Sequence, residues 1–209
     1  MSTYINGLFI GELTPNATVG GCINIYENAF PNPYETIFAI EQECINPDSV
    51  VKFTKAETFV LGINQNFRTN YSLDISHAAK SNNKVCQDIS NQVYTVLLAT
   101  TAPYISKMKI QELSYHEHYQ MLKYPVSAEY KEHYDGSTAT GRSISAIAYL
   151  NDDYEGGEIE FSNFKVKIKP ESGMLILFPS NYAYTHIAHP VTSGTKYAIV
   201  TWIHDRPIQ

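Results

Sequence analysis

The second half of this 209-residue chain is patterned for short β-strands, and this pattern constrains the fold more than any other feature. From about Leu113 onward, apolar and polar residues alternate in short runs that Gly, Pro, Asn and Asp clusters interrupt. Eight such runs fall within about ninety residues, at 116–124, 128–135, 143–150, 158–161, 164–169, 174–178, 184–189 and 196–204. This number of short strands predicts a sandwich or barrel in which two sheets face each other.

Helical signals dominate the first half instead. The stretch Asn32-Pro33-Tyr34-Glu35 predicts a helix start, with an asparagine N-cap, a proline at the first helical position and a capping-box glutamate. An apolar stripe predicts a second helix from about Cys86 to Thr101, which should end before Pro103. The chain is therefore predicted to be α+β but mainly β, a single domain over 1–209 with helix-rich support at 1–112 and a β core at 113–205.

Charge and composition exclude several classes of protein. Fifteen Lys and Arg against 21 Asp and Glu give a net charge of −6, which disfavours binding to a nucleic-acid backbone. No apolar run is long enough to span a bilayer, and the N-terminus lacks the pattern of a signal peptide. Three widely spaced cysteines argue against a disulfide framework, so we expect a reducing, cytoplasmic setting without membrane or nucleic-acid partners.

A candidate metal site lies at the end of one predicted strand. His133 and Asp135 are two residues apart, so both side chains project from the same face of the strand. A third ligand can come from the later strand that holds His186 and His189, of which only one can point inward. Two histidines and one carboxylate leave coordination positions open, as non-haem Fe(II) oxygenases require, whereas a structural zinc site would be closed.

Lys196 is the second candidate site residue. It begins a run, Lys196-Tyr197-Ala198-Ile199-Val200-Thr201-Trp202, in which both alternating faces are largely apolar. A lysine buried in such a strand requires an anionic partner, and the carboxylate of a cosubstrate would supply one. The alternative is that Lys196 only starts the strand and extends its ammonium group to water.

A longer string of motifs runs through the same region and includes these residues. In order, it consists of Glu117-x-x-Gln120, Tyr124, Tyr130, His133-x-Asp135, Arg142-x-x-Ser145-x-x-x-Tyr149-Leu150-Asn151, Gly156-Gly157-Glu158, Pro170-x-x-Gly173, His186-x-x-x-Pro190-Val191-x-x-Gly194-x-Lys196 and Trp202. From Glu117 to Trp202, the chain therefore resembles the 2-oxoglutarate- and Fe(II)-dependent dioxygenases of the prolyl 4-hydroxylase type.

This resemblance implies a fold and a set of site residues. The fold is a double-stranded β-helix, or jelly roll, with the N-terminal helices supporting its larger sheet. The resemblance selects His186 over His189 as the third iron ligand and adds no catalytic residue beyond the iron ligands. The remaining implied roles are 2-oxoglutarate binding by Lys196, Tyr149 and Tyr124, and substrate binding by Tyr130, Arg142 and Trp202.

The implied activity is hydroxylation of a C–H bond, with peptidyl proline as the leading substrate and succinate and CO2 as co-products. Fe(II), 2-oxoglutarate and O2 are the implied cofactors and cosubstrates, with ascorbate as the reductant. Two alternatives stay open, namely a hydroxylase of a free amino acid or small molecule, and a non-catalytic sensor of iron and 2-oxoglutarate. A nucleic-acid demethylase is disfavoured by the net charge of −6. The oligomeric state is open, and a monomer is compatible with the sequence.

Some positions depart from the family pattern. Ile159 stands where many collagen-type members have a threonine that helps to hold 2-oxoglutarate. Relatives that sense oxygen use a tyrosine at the position of Tyr149, but they pair it with arginine rather than with a lysine such as Lys196. The pair His116-x-His118 resembles a second metal motif, but we interpret it as one face of a strand.

Overall fold

The computed structural model of the chain describes residues 3–5, 8–58, 62–108, 115–136 and 140–204. Its helices are α1 (Pro33–Ile45), α2 (Ile75–Lys80) and α3 (Lys84–Met108). The strands of the first half are β1 (Thr3–Ile5), β2 (Leu8–Ile10), β3 (Ala17–Val19), β4 (Ile23–Tyr26), β5 (Thr54–Lys55) and β6 (Tyr71–Asp74). Those of the second half are β7 (Tyr115–His116), β8 (Gln120–Tyr124), β9 (Tyr130–His133), β10 (Arg142–Tyr149), β11 (Glu155–Gly156), β12 (Ile159–Phe161), β13 (Val166–Ile168), β14 (Leu175–Pro179), β15 (His186–Ala188), β16 (Val191–Ser193) and β17 (Lys196–His204).

Most of these strands form two antiparallel sheets. The larger sheet has the order β3-β4-β14-β10-β17-β8-β6-β5, and β7 pairs with the end of β17. The smaller sheet has the order β13-β12-β15-β9. Two further two-stranded pairs, β1 with β2 and β11 with β16, complete the pairing among the described residues. The predicted mainly β architecture is confirmed at this level.

The central strands of the larger sheet are apolar on both faces, as expected for a sheet covered on both sides. On β10, Ala146 and Ala148 pack with helical residues such as Val93 and Leu97 of α3. Their neighbour Tyr149 faces the other way and packs with Ile159 of the smaller sheet. This alternation places the helices behind the larger sheet and the smaller sheet in front of it. A cavity lies between the two sheets, and residues from both line it.

The start of α1 is where the sequence predicts it, but its capping differs. Pro33 is the first helical residue, as expected. Asn32 makes no side-chain cap, so the capping-box interpretation is wrong. Its backbone adopts the left-handed conformation with a φ of 47°, and its carbonyl instead accepts hydrogen bonds from the backbone and hydroxyl of Thr36. Asparagine tolerates this conformation better than most residues.

Helix α3 continues through Pro103 to Met108, although the sequence predicts that it ends earlier. A proline within a helix removes one N–H donor and leaves the carbonyl of the residue four positions earlier without its helical partner. That carbonyl belongs to Ala99, and it accepts a hydrogen bond from the backbone N–H of Leu13 at 2.9 Å. The segment before β3 thus satisfies the group that the proline would have left unpaired.

The first half also contributes strands that periodicity did not reveal. β3 and β4 extend the larger sheet beyond β14, while β5 and β6 extend it beyond β8. These segments are only two to four residues long, which is too short for an alternating pattern to stand out. Within the described part of the chain, no helix is both long enough and apolar enough to cross a membrane.

Candidate metal centre and cosubstrate cavity

The cavity between the sheets has a volume of about 380 Å³, within the range of about 300–1,000 Å³ that is typical of ligand pockets. All nine residues proposed from the sequence line it. The cavity extends along β10. Ser145, which contacts Asp135, and Tyr149 are four residues apart on this strand, which corresponds to about 13 Å at the usual rise per residue. We call the part around His133, Asp135 and His186 the metal end, and the part around Lys196, Tyr124 and Tyr149 the lysine end.

Two neighbouring strands of the smaller sheet bring the metal end together. His133 ends β9, and its register partner on β15 is His186. Asp135 follows two residues after His133, and one ligand atom of each of the three side chains lies within 4.8 Å of the others. The Nε2 atom of His133 is 3.7 Å from Oδ1 of Asp135, and that of His186 is 3.9 Å from Oδ2. Among the described residues, no other group of three or more His, Cys, Asp or Glu side chains is as close.

Backbone hydrogen bonds orient both imidazoles. Nδ1 of His133 lies 2.7 Å from the carbonyl oxygen of Lys131, and Nδ1 of His186 lies 3.1 Å from that of Tyr184. A carbonyl oxygen only accepts, so each Nδ1 carries the hydrogen and each Nε2 presents its lone pair toward Asp135. Hydrogen bonds of this kind are typical of metal-ligating histidines.

The ionisation of these groups also suits a metal. Burial, reinforced by the nearby His186, lowers the pKa of His133 to about 3, so this imidazole is neutral at physiological pH. Burial would raise the pKa of Asp135, but the two imidazoles and the Ser145 hydroxyl hold it below its usual value. Neutral imidazoles and an ionised carboxylate are the forms that bind metal ions. Two nitrogen donors and one oxygen donor in one cluster fit Fe(II) with open coordination positions.

The other histidines that the sequence singled out lie outside this cluster. His189 extends away from it, and its Nε2 is 2.7 Å from a carboxylate oxygen of Glu160. His116 and His118 have separate partners, because His118 pairs with Asp74 at 2.9 Å while His116 contacts the Tyr119 hydroxyl at 3.4 Å.

At the lysine end, the side chain of Lys196 is almost completely buried, with 2% of the residue exposed. It does not extend to water, so the alternative interpretation from the sequence is wrong. Its ammonium donates to the carbonyl oxygen of Gly157 at 2.8 Å and lies 4.4 Å from the centre of the Tyr124 ring. Burial, and to a lesser degree the nearby Lys169, lower the pKa of Lys196 to about 7, while Glu158 opposes the shift.

Tyr124 and Tyr149 complete this end of the cavity. Both are buried, at 4% and 3% exposure. Burial raises the pKa of Tyr124 to about 12 and raises that of Tyr149 well above its usual value, so both phenols keep their protons. Protonated phenols can donate hydrogen bonds to an anion, as the Lys196 ammonium can.

Aromatic and guanidinium groups form the wall around the metal end. The Tyr130 ring stacks on His133 with a centroid distance of 3.5 Å. The Arg142 guanidinium lies 3.5 Å from the centre of the Trp202 ring and makes a bidentate ion pair with Glu117, with N–O distances of 2.6 and 2.7 Å. The N–H of the Trp202 ring is buried, and it helps to lower the pKa of Asp135.

Sequence reasoning assigned no role to two further groups at this site. Arg68 lines the cavity, where its guanidinium lies 4.6 Å from the centre of the Tyr130 ring and donates to the carbonyl of Glu57. Ser145 donates to Asp135 at 2.6 Å and contacts Ser180 at 2.8 Å. Strand alternation from Tyr149 back through Ile147 would have pointed to Ser145, because the three share one face of β10.

Comparisons with known proteins agree with this arrangement. Residues 119–204 match the family model of the 2OG-Fe(II) oxygenase superfamily, a segment that is less than half of the chain. The expected resemblance is confirmed. This chain is thus similar to 2-oxoglutarate/Fe(II) oxygenases of the prolyl 4-hydroxylase type, over the segment that contains all nine proposed site residues.

Individual relatives are also hydroxylases. Human prolyl 3-hydroxylase 2 is 38% identical over 74 residues, which cover 33% of this chain and 10% of the relative. A putative prolyl 4-hydroxylase of Acanthamoeba polyphaga mimivirus is 28% identical over 110 residues, which cover 43% of this chain and 46% of the relative. The chain therefore spans less than half the length of either curated relative.

A solved structure extends the likeness beyond the matched segment. It is a prolyl hydroxylase from Trichoplax adhaerens in complex with a peptide fragment of the hypoxia inducible factor oxygen degradation domain. It superposes with a TM-score of 0.68 at 19% identity, covering 89% of this chain and 84% of the other. At this identity the likeness shows the fold, a mainly β arrangement with few helices, as in the jelly rolls of 2-oxoglutarate oxygenases.

Proposed function

We propose that this protein is an Fe(II)- and 2-oxoglutarate-dependent dioxygenase that hydroxylates a C–H bond, with peptidyl proline as its leading substrate. The proposal rests on one observation. One end of the cavity holds a cluster of two imidazoles and one carboxylate, and the other end holds a buried ammonium that makes a single hydrogen bond to the described residues. The similarity to prolyl hydroxylases supports an enzyme of this type.

Each end has its own role in the proposed reaction. His133, Asp135 and His186 would hold Fe(II), while Lys196, with Tyr149 and Tyr124, would bind the distal carboxylate of 2-oxoglutarate. When bound, iron and 2-oxoglutarate supply the oxidative chemistry, in which O2 and 2-oxoglutarate become succinate and CO2 and one oxygen atom enters the C–H bond. The protein would position the reactants, and apolar side chains such as Ile147, Ile159 and Val200 line the cavity together with the polar ones.

The wall of the metal end is the proposed substrate site. Tyr130, Arg142 and Trp202 line the same cavity as the proposed iron ligands, where a target side chain would approach. Because the Arg142 guanidinium is paired with Glu117, we propose that its main role is to pack against Trp202 and not to supply an unpaired positive charge. We further propose that residues 1–209 form one domain with a double-stranded β-helix core, and that ascorbate serves as the reductant.

The direct test is succinate formation by the purified chain, supplied with Fe(II), 2-oxoglutarate and O2, with and without proline-rich peptides. We expect the peptides to stimulate turnover and a target proline to gain the mass of one oxygen atom. Basal turnover that free proline or a small molecule stimulates would instead show a small-molecule hydroxylase. Binding of iron and 2-oxoglutarate without any succinate would favour the sensor and contradict the proposal.

The Asp135→Ala variant tests the metal assignment in the same assay. We expect it to lower succinate formation to the level of the metal-free protein, because the remaining two imidazoles lack the anionic ligand. Asp88→Ala, which removes an exposed carboxylate from α3, is the matched control and should keep full activity. Succinate formation by Asp135→Ala at the parental rate would show that the assignment is wrong.

A further inference from the structure

Two buried serines lie behind the metal end. They connect to the proposed site residues through a hydrogen bond to Asp135. Ser145 of β10 is 0% exposed and Ser180, which follows β14, is 1% exposed. The Ser145 hydroxyl donates to Oδ2 of Asp135 at 2.6 Å, and the two hydroxyl oxygens are 2.8 Å apart. Buried hydroxyls need partners, and these two serines find theirs in each other and in one carboxylate.

The direction of this hydrogen-bonded chain follows from its chemistry. An ionised carboxylate can only accept, so the single hydrogen of the Ser145 hydroxyl points to Asp135. The contact between the two serines must then use the hydrogen of Ser180, with the Ser145 oxygen as acceptor. The order Ser180 to Ser145 to Asp135 is therefore fixed. A hydroxyl that receives a hydrogen bond becomes a better donor in turn.

The backbone fixes the two ends of this chain relative to each other. The N–H of Gly136, directly after Asp135, donates to the carbonyl oxygen of Ser180 at 2.7 Å. The N–H of Ser180 donates to the carbonyl oxygen of Ser143 on β10 at 3.0 Å. A β-carbon at Gly136 would lie 2.7 Å from the carbonyl oxygen of Arg142, so only glycine permits this approach. Asp135 is thus tied to β10 and to the end of β14 at the same time.

We propose that Ser145 and Ser180 form a positioning relay, a chain of hydrogen bonds that orients the Asp135 carboxylate so that one oxygen accepts from Ser145 and the other binds the metal. Ser145 donates to Oδ2, an oxygen that also lies 3.9 Å from Nε2 of His186, whereas Oδ1, 3.7 Å from Nε2 of His133, does not receive this hydrogen bond. We therefore assign Oδ1 as the oxygen that would bind the metal. A carboxylate held in this way would bind a metal through one oxygen and would leave more coordination positions open for ligands. This inference rests on the proposed metal site and extends it to two residues outside the ligand set.

The test is a set of metal titrations that do not depend on turnover. Mn(II) accepts the same nitrogen and oxygen ligands and serves as the probe, with its affinity measured by calorimetry and its environment by electron paramagnetic resonance. We expect Ser145→Ala to weaken Mn(II) binding about 10- to 100-fold, the usual effect of losing a group that orients a ligand. Ser145→Thr keeps the hydroxyl and should stay within about threefold of the parent. Ser172→Ala, which removes a hydroxyl bonded to the Leu150 carbonyl, is the control and should bind like the parent.

A double variant tests the relay itself. Ser180→Ala leaves Ser145 bonded to Asp135 and should weaken Mn(II) binding less than Ser145→Ala does. The double variant should bind as Ser145→Ala alone, because residues in one chain do not act additively. A loss of less than tenfold in Ser145→Ala, or losses that multiply in the double variant, would overturn the inference. If the parent chain itself fails to bind Mn(II), the proposed metal site fails and the relay fails with it.

Discussion

The two ends of the cavity differ in how many partners the protein provides for their buried charged groups. At the metal end, the Asp135 carboxylate accepts a hydrogen bond from Ser145, and the Nδ1 atoms of His133 and His186 are bonded to backbone carbonyls. At the lysine end, the Lys196 ammonium has three hydrogens to donate and makes one hydrogen bond to the part of the chain that the structure describes, to the neutral carbonyl of Gly157. The fold therefore orients the proposed metal ligands by itself, whereas the Lys196 ammonium forms no ion pair with a carboxylate among the described residues, although the charge of Glu158 offsets part of its pKa shift.

This difference has an energetic meaning. A buried cation without a paired anion destabilises the folded protein, so the lysine end carries a free-energy cost that binding of the proposed dicarboxylate would remove. The metal end carries no such cost, because a neutral imidazole and a hydrogen-bonded carboxylate are tolerated when buried. Substitution of the charged residue at the lysine end should therefore lower ligand affinity but raise the stability of the ligand-free protein. Substitution at the metal end should lower metal affinity, and any change in stability should also be a loss.

The largest expected effect comes from Lys196→Met. Removing one partner of a buried charge pair costs about 2–5 kcal/mol, so 2-oxoglutarate affinity should fall about 30-fold or more. The ligand-free variant should melt at a higher temperature than the parent, because it no longer buries an unpaired ammonium. Calorimetric titration of the Mn(II)-loaded protein and thermal denaturation measure the two quantities.

Lys167→Met is the control for this variant, because Lys167 is an exposed lysine of β13. It should change neither quantity. If Lys196→Met binds 2-oxoglutarate like the parent, the ammonium is not the anion site. If it melts at a lower temperature than the parent, the lysine end does not carry the proposed cost.

The next effect is a dependence of 2-oxoglutarate affinity on pH. Burial, with the nearby Lys169, lowers the pKa of Lys196 to about 7, while Glu158 raises it and Tyr124 lies against the ammonium. Above that pH the free protein must take up a proton before it can bind a carboxylate, so affinity should fall by up to about tenfold per pH unit. Titrations at pH 8 in buffers of different ionisation enthalpy should show uptake of close to one proton.

The same shift predicts the sign of a stability effect. The folded pKa of about 7 lies below the value of about 10.4 for an unfolded lysine, so the unfolded chain binds more protons between these values. The contribution of Lys196 to the free energy of unfolding should therefore rise with pH across this window, and its penalty should be fully present below pH 7. Lys196→Arg stays charged throughout and should flatten both profiles, and a parent whose affinity is constant from pH 7 to 9 would contradict the prediction.

The site residues at the two ends of the cavity were predicted from different signals in the sequence. The His133 and Asp135 pair follows from strand alternation alone, because both residues belong to one short segment. The choice of His186 over His189 required the family resemblance, since alternation admits either. Lys196 stood out because a charged residue in an apolar strand is rare. The predictions of His133, Asp135 and Lys196 used only local periodicity and single unusual residues, whereas that of His186 used the resemblance.

What the sequence did not predict depends on contacts between distant segments. Ser180 lies 45 positions after Asp135, and only the register of β10 with β14 brings them together. Helix α3 passes through Pro103 because Leu13, far away in the chain, satisfies the exposed carbonyl of Ala99. Such contacts leave no periodic signal, so local reasoning predicted His133 and Asp135 but not the residues that support them.

The smallest expected effect concerns the wall beside the metal end. Glu117 holds Arg142 against Trp202 and also contacts Nε2 of His204 at 2.7 Å. Glu117→Gln keeps the shape but removes the charge that fixes the guanidinium, so the peptide concentration for half-maximal turnover should rise about three- to tenfold, equivalent to about 1 kcal/mol. The affinities for Mn(II) and 2-oxoglutarate should change by less than about twofold, because neither end of the cavity contains Glu117.

A matched control comes from the opposite side of the larger sheet. Glu41 is also a half-buried carboxylate with a cationic partner, Lys123, and it accepts a hydrogen bond from Tyr197. Glu41→Gln should lower thermal stability without changing the half-saturating peptide concentration, which separates a loss of packing from a loss at the substrate wall. Glu117→Gln could instead weaken 2-oxoglutarate binding as strongly as Lys196→Met does. The substrate wall would then be coupled to the lysine end, and the two ends of the cavity would not have the separate roles proposed for them.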